Sequence, residues 1–439
     1  MRKIIFRIYW YFKSKRYNYP TNPTLVLKKL LKSQYWSKSQ TEAYQLKCLN
    51  ELATKASNNT EYYKKLNIQE YLPIESIHDF TLKIPSIDRV TIMANVDKLK
   101  IKKPDSFFKY STSGSTGEPL TVEISGMSDV YRIAGHMRFH RWWGIKPFSK
   151  SVLIWGFKST SKKEKKSFVN IIKRQILNRL DINVFDLNEQ TIEFYFNKIE
   201  KFKPAFIKGY KSAVYQLAEL MYSKNLSFKN PTLKVAIVTS EVLLENERAF
   251  IEKVLKCKVA NEYGAVEAGL FAYECPNGSM HIFEESVFID TIDKSVVSTE
   301  LYNDYMPLIN YQNGDKVILS NKLCSCGRTS RIINRIEGRV DDMVVRPDGT
   351  KISQYIFYYI MKEINDIGYE GSVKKYLVVQ KENDFNILVV PGANYGIEVE
   401  KFIKQRMYKE IGSEIQIDIK KVTEIKREKS GKLRFFIRQ

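Results

Sequence analysis

Between residues 233 and 264 the chain reads LKVAIVTSEVLLENERAFIEKVLKCKVANEYG. Two short apolar runs, LKVAIVTSE and CKVANEYG, flank ENERAFIEKVLK, whose apolar residues recur at helical spacing. A strand, a helix and a second strand in that order form one β/α unit, the building block of a parallel sheet. The same texture extends towards the N-terminus. SVLIWGF at 151–157 and PAFIKGY at 204–210 are further apolar runs, and the segment KSAVYQLAELMYSK after Tyr210 is helix-like.

On either side the texture changes. Residues 24–100 have apolar positions three and four apart, broken by Pro73 and Pro85, and are expected to be helical. From 280 to 340 short β-like runs alternate with expected turns at Asn313-Gly314 and Cys326-Gly327, the pattern of an antiparallel module. A boundary is expected near 339–342, inside IEGRVDDMVVRPDGTKIS. Beyond it, strand-like KKYLVVQ, NILVVPG and EIQIDIKKV and helix-like QYIFYYIMKEI and EVEKFIKQRMYKEI suffice for one small α+β domain. The expected fold class is therefore α/β. It comprises a large N-terminal domain, 1–340, with β/α subdomains and a β-rich module at 270–330, and a small C-terminal domain, 341–439.

The 439 residues, 44% of them hydrophobic and 13% aromatic, exceed what one core usually supports. No uninterrupted apolar run reaches about 18 residues and no cleavable leader is evident, so a cytoplasmic protein is expected. Lys and Arg number 71 against 49 Asp and Glu, a formal charge of +22. The cations are spread along the chain with no nucleic-acid module, so a nucleic-acid partner is not expected. Such a surface attracts polyanions. The opening MRKIIFRIYWYFKSKRYN interleaves cations with aromatic and aliphatic residues, as does a helix lying peripherally on an anionic membrane, although the same rings could pack on the protein itself.

Three groups of residues carry chemistry. The loop YSTSGSTGEPL, 110–120, combines hydroxyls, glycines and backbone N–H donors, which suits phosphate. Cys275 and His281 in ECPNGSMHIF, with Cys324 and Cys326 in KLCSCGR, supply four soft ligands suited to tetrahedral zinc, and Pro276 and Gly327 beside them fit a metal knuckle. Cys48 and Cys257 are expected in the core. His136 and His140 lie at helical spacing near Trp142 and Trp143, where they would either pack in the core or line a substrate pocket.

STSGSTGEPL, GIKPFSKSVLIWG, KPAFIKGYKSAVYQLAE, VTSEVLLENERAFIEKVL leading into NEYGAVEAG, YQNGDKVIL, CSCGR, IEGRVDD and KREKSGKLR occur in one order over about residues 70–439. That succession resembles the adenylate-forming (acyl/aryl-CoA ligase) superfamily, specifically its phenylacetate-CoA ligase and CapK-like branch. The resemblance implies an ATP-dependent, Mg²⁺-requiring ligase that makes an acyl-AMP from a carboxylic acid, releases pyrophosphate and transfers the acyl group to CoA or to an amine or hydroxyl of a sugar precursor. Surface (capsular) polysaccharide assembly is implied likewise. In it Thr112, Ser113, Gly114, Ser115, Thr116 and Gly117 wrap the phosphates. Glu267 binds magnesium and is catalytic with Lys432. Ser240, Glu241, Tyr263, Gly264, Asp315 and Arg339 contact the nucleotide, with Tyr263 beside adenine and Asp315 on the ribose. Asp341 is the hinge about which a mobile C-terminal domain turns.

Departures from the family pattern are Leu120 in place of a common lysine, Val266 in place of a hydroxyl residue, and PDGTKISQYIFYYIM, where Ser353 and apolar residues stand in place of the proline and glutamate that usually follow a glycine-rich turn and open the helix on the CoA side. The acceptor therefore stays open, as does the oligomeric state, a homodimer included. The other readings are a nucleotidyl transferase stopping at an AMP adduct, and a catalytically degenerate binding protein at a membrane surface.

Overall fold

A computed structural model describes the backbone of residues 2–101, 104, 106–111, 120–156, 178–229, 232–320, 322–339 and 343–439, and the side chains of these except 2–7, 339 and 366. The chain divides into two compact units, Met1–Asn313 with Val317–Ile336, and Gly314–Lys316 with Glu337–Gln439.

The first unit is built on a twelve-stranded sheet among the described residues. Its parallel half runs, in spatial order, Arg179–Asn183, Ser151–Trp155, Phe206–Tyr210, Val235–Thr239 and Lys258–Ala265. Val235–Thr239 is buried at all five positions, as a central strand covered on both faces must be. Its side chains feed two cores by simple alternation. Val235 and Ile237 join one cluster, and Ala236 and Val238 join the other, with Leu217, Ile251 and Leu255 from the Lys211–Ser223 and Glu245–Leu255 helices.

Lys258–Ala265 is where the sheet changes sense. It is parallel to Val235–Thr239 on one side and antiparallel to Gly269–Glu274 on the other. Met280–Ile282, Ile332–Arg339, Tyr311–Ser320, Ser295–Glu300 and Val287–Ile292 then follow in spatial order. The β-rich region thus extends the same sheet. The structure corrects one expectation: Asn313-Gly314 is not a turn. Tyr311–Ser320 runs straight through it, and Gly314 adopts φ +79° inside the strand. Neighbours on both sides of the strand override the local turn preference, leaving the glycine as a local distortion. The Cys326-Gly327 turn does form, closed by Gly327 N donating to Cys324 O at 3.2 Å.

Over this sheet lies the Gly126–Trp142 helix, capped by Ser125 Oγ accepting from Ser128 N. Gly135 lets it approach closely, since a Cβ there would sit 2.4 Å from Phe283 Cε1. Phe139 stacks on Tyr273 with centroids 4.4 Å apart. Beside it in the chain, Arg138 is only 2% exposed and donates from Nη1 to Glu285 Oε1 at 2.6 Å, where Ser33 Oγ also donates at 2.6 Å.

The second unit has a four-stranded sheet, in order Gln416–Lys421, Asp384–Pro391, Val373–Lys381 and Phe436–Arg438. The amphipathic helices Tyr355–Asp366 and Ile397–Ile411 cover it, through Phe357, Ile360, Ile403 and Met407 against Ile387 and Phe436. No described helix in either unit is long and apolar enough to cross a membrane.

Arg138→Ala is expected to destabilise the first unit by about 3–5 kcal/mol, because it leaves the Glu285 carboxylate buried without its cation. The double change Arg138→Met with Glu285→Leu should recover most of the loss. Chemical denaturation of the three proteins checks this, and equal losses in the single and double variants would contradict it.

Candidate functional site

In a sheet of this kind ligands bind beyond the carboxyl ends of the parallel strands, and that edge carries Ser240, Glu241, Tyr263, Gly264 and Glu267. Ser240 follows directly on Val235–Thr239 and is exposed, with a left-handed backbone at φ +68°. Such strain in a non-glycine residue is characteristic of functional loops. Glu241 beside it accepts from Ser212 N at 2.6 Å and from Ser212 Oγ at 3.0 Å, which ties its carboxylate to the first turn of the Lys211–Ser223 helix.

The next strand delivers Tyr263 and Gly264. Tyr263 is buried and meets Phe271 edge-on at 5.2 Å. Gly264 is required by packing: a Cβ would lie 2.6 Å from Gly269 O across the hairpin. The tight connection to Gly269 carries Glu267, which is 5% exposed and accepts from Tyr311 Oη at 2.9 Å. Among the described residues it forms no ion pair. A nearly dry carboxylate with one neutral donor and no cation is suited to a metal ion. Asp315, 8% exposed, stands on the strand of Tyr311, and the burial alternation of that strand puts both on its buried side.

Other expected residues fall elsewhere. Thr112, Ser113, Gly114, Ser115, Thr116, Gly117 and Asp341 lie outside the described residues. The strands flanking that loop, Phe107–Ser111 and Thr121–Ser125, pair antiparallel and end on the Ser111–Thr121 register. Arg339 closes the Ile332–Arg339 strand, with its side chain outside the description. Lys432 belongs to the second unit, on a tight turn in which Glu428 N donates to Lys432 O at 2.9 Å and Gly431 takes φ +93°.

Cys275, His281, Cys324 and Cys326 come together, with all four ligand atoms within 4.8 Å of one another. Cys275 Sγ is 3.7 Å from Cys324 Sγ, and His281 Nε2 is 3.2 Å from Cys326 Sγ. Ligands at usual zinc bond lengths and tetrahedral angles stand roughly 3.5–3.8 Å apart, so the cluster fits the ion. Ser330 Oγ lies 3.1 Å from His281 Nδ1 and orients the ring so that Nε2 faces the sulfurs. Burial pushes the Cys275 thiol up to about 12 and the His281 imidazole down to about 4.

Sequence reading passed over Lys208 and Glu262. Lys208 Nζ lies 2.8 and 2.7 Å from the two carboxylate oxygens of Glu262, and His136 Nδ1 is 3.4 Å from the same carboxylate. Burial would raise the Glu262 pKa, but Lys208 and His136 outweigh it and hold the carboxyl well below its usual range. His140 is driven the other way. Burial, with the like charges of His136 and Lys208, lowers its pKa to about 3 and keeps the ring neutral. The available signal was a glutamate and a lysine inside otherwise apolar strand runs, NEYG and AFIKGY.

Residues 344–439 match a family described as the CapK C-terminal domain. The chain is 26% identical over 390 residues to Protein CapK of Staphylococcus aureus, spanning 86% of this chain and 85% of that protein. It is 29% identical over 164 residues to phenylacetate-coenzyme A ligase of Thermus thermophilus, a stretch covering 34% of this chain and 37% of the ligase. A solved 2-hydroxyisobutyryl-CoA ligase, in its postadenylation state with R3-HIB-AMP, has the same fold, with a TM-score of 0.73 at 17% identity over 93% of each chain.

Gly264→Ala should cost about 1–3 kcal/mol, because the new methyl meets backbone rather than a movable side chain. Thermal unfolding measures it, and an unchanged midpoint would show that the hairpin relaxes freely.

Proposed function

We propose that this chain, a CapK-like member of the adenylate-forming superfamily, activates a carboxylic acid with ATP as acyl-AMP, releases pyrophosphate and passes the acyl group to a second substrate. The observation that carries the reading is Glu267, a dry carboxylate without a counter-cation among the described residues, on the turn directly after Tyr263 and Gly264 at the carboxyl edge of the sheet.

The chemistry explains the demand for such residues. A carboxylate attacking the α-phosphorus brings two anions together, so neutralising charge is the largest contribution to lowering the barrier. A magnesium ion supplies part of that neutralisation when bound, with Glu267 as its protein ligand. Tyr263 offers a flat face to the base, and Asp315 two acceptor oxygens to the ribose hydroxyls. Residues 112–117 present hydroxyl and N–H donors to the phosphates, with Arg339, Ser240 and Glu241 completing the nucleotide contacts. Lys432 brings a compact ammonium to the charge that grows on the transferring oxygens, and Asp341 serves as the pivot of the second unit. Thiol, amine and hydroxyl acceptors all fit this first half-reaction. CoA is the acceptor in the names of the similar ligases. Ser353 and the apolar residues that open the Tyr355–Asp366 helix stand in place of the proline and glutamate usual there, which favours an amine or hydroxyl on a sugar precursor in surface polysaccharide assembly. The four-ligand Cys/His cluster holds one structural zinc, and the setting is cytoplasmic.

Acid-dependent exchange of pyrophosphate into ATP tests the reading, because it isolates the first half-reaction. Lys432→Ala should slow exchange at least about 100-fold while ATP binding persists, since the lysine acts on charge present only in the transition state. Exchange at the unaltered rate would remove Lys432 from the mechanism. Metal analysis should give about one zinc per chain, and Cys324→Ser should lower both zinc content and melting temperature. A folded protein purified without chelator and free of metal would rule the zinc out.

A further inference from the structure

Lys208, Glu262, His136, His140 and Tyr273 form a polar cluster inside the first unit, one residue from Tyr263 along the same strand. Register explains the convergence. Glu262 and Tyr273 are cross-strand partners of the antiparallel pair, so their side chains share a face of the sheet. Lys208 reaches the Glu262 carboxylate from the Phe206–Tyr210 strand, and His136 and His140 occupy successive turns of the Gly126–Trp142 helix, their rings 6.5 Å apart.

As a purely structural ion pair the cluster would be poorly made. Tyr273 is fully buried and its Oη has no hydrogen-bond partner among the described residues. His140 Nε2 is shielded and likewise has no hydrogen-bond partner among the described residues, while His136 Nδ1 has only the Glu262 carboxylate at 3.4 Å. Each such orphan costs on the order of 1–3 kcal/mol, and two beside one ion pair are more than a structural role explains. His136 and Lys208 remain partly exposed, at 35% and 21% of their side chains, so the cluster is reachable from outside.

We infer that this cluster is the subsite for the acid's substituents, and that the acid is hydroxylated rather than a plain alkyl or aryl acid. The inference rests on the adenylation reading for the identity of the ligand as an acid. Glu262 can only accept, Lys208 can only donate, and the imidazoles and the phenol can do either. A hydroxyl both donates and accepts, and so satisfies neighbours of both kinds. A phenyl or alkyl group would leave both orphans without partners, and a site built for hydroxyls discriminates strongly against analogues that lack them.

The test uses the full chain and matched acids, gluconate against hexanoate and 3-hydroxybutyrate against butyrate, with phenylacetate as the aryl probe. In pyrophosphate exchange at least one hydroxylated acid should exceed its apolar counterpart and phenylacetate by about 100-fold in rate at equal concentration. Tyr273→Phe, which removes only the orphan hydroxyl, should cut that preference at least about fivefold, and Lys208→Met with Glu262→Leu should abolish it. If the double variant does not fold, Tyr273→Phe decides. Apolar acids exchanging as well as or better than hydroxylated ones would overturn the inference. Should no acid support exchange, the adenylation reading itself fails, and ligand-observed NMR without ATP decides the subsite separately. Gluconate binding in preference to hexanoate, weakened by Tyr273→Phe, sustains it; equal or absent binding overturns it.

Discussion

The strand Lys258–Ala265 is parallel on one side and antiparallel on the other, and the first unit depends on that junction. Its antiparallel edge closes only because Gly264 has no side chain to meet Gly269 O. The consequence is functional as well as architectural. A parallel strand ends at the ligand edge of an α/β sheet, whereas a hairpin returns the chain immediately. Joining the two delivers Glu262, Tyr263 and Glu267 within six residues, on a segment held from both sides.

Buried charge is the second theme of the fold. Arg138 meets Glu285 at 2.6 Å, Arg132 meets Glu300 at 2.8 Å, Arg331 meets Glu284 at 2.6 Å, Arg248 meets Glu274 at 3.0 Å and Lys208 meets Glu262 at 2.7 Å. Each glutamate is buried, and each is matched by a cation from a distant part of the sequence. These pairs contribute less to net stability than their geometry implies, because desolvation cancels much of the attraction; breaking one is nevertheless costly. Glu274 and Glu284 show the balance, since burial raises their pKa despite the arginine beside each. Glu267, equally buried, stands out for having no such partner among the described residues.

The β/α half was legible because apolar runs and helical spacing are local, and Val235–Thr239 and its neighbours formed where the pattern put them. The Cys/His cluster was legible for a different reason: cysteine and histidine are scarce in this chain, so their proximity in sequence carries information. What failed was non-local. Asn313-Gly314 has the composition of a turn, but pairing along both edges of Tyr311–Ser320 outweighs it. Glu285 and Arg138 are 147 residues apart, and Lys208 and Glu262 54 apart, so only folding reveals that each charge has a partner.

The turn that carries Lys432 shows how position can be fixed while chemistry is left to the side chain. Arg434 Nε binds Glu428 at 2.6 Å, Arg427 Nη1 donates to Gly431 O at 2.8 Å, and Gly431 N donates to Glu428 O at 2.8 Å. These contacts hold the backbone around the lysine through groups other than its ammonium. In the proposed adenylation such a backbone is in place before charge develops on the transferring oxygens, so the turn itself has little left to reorganise.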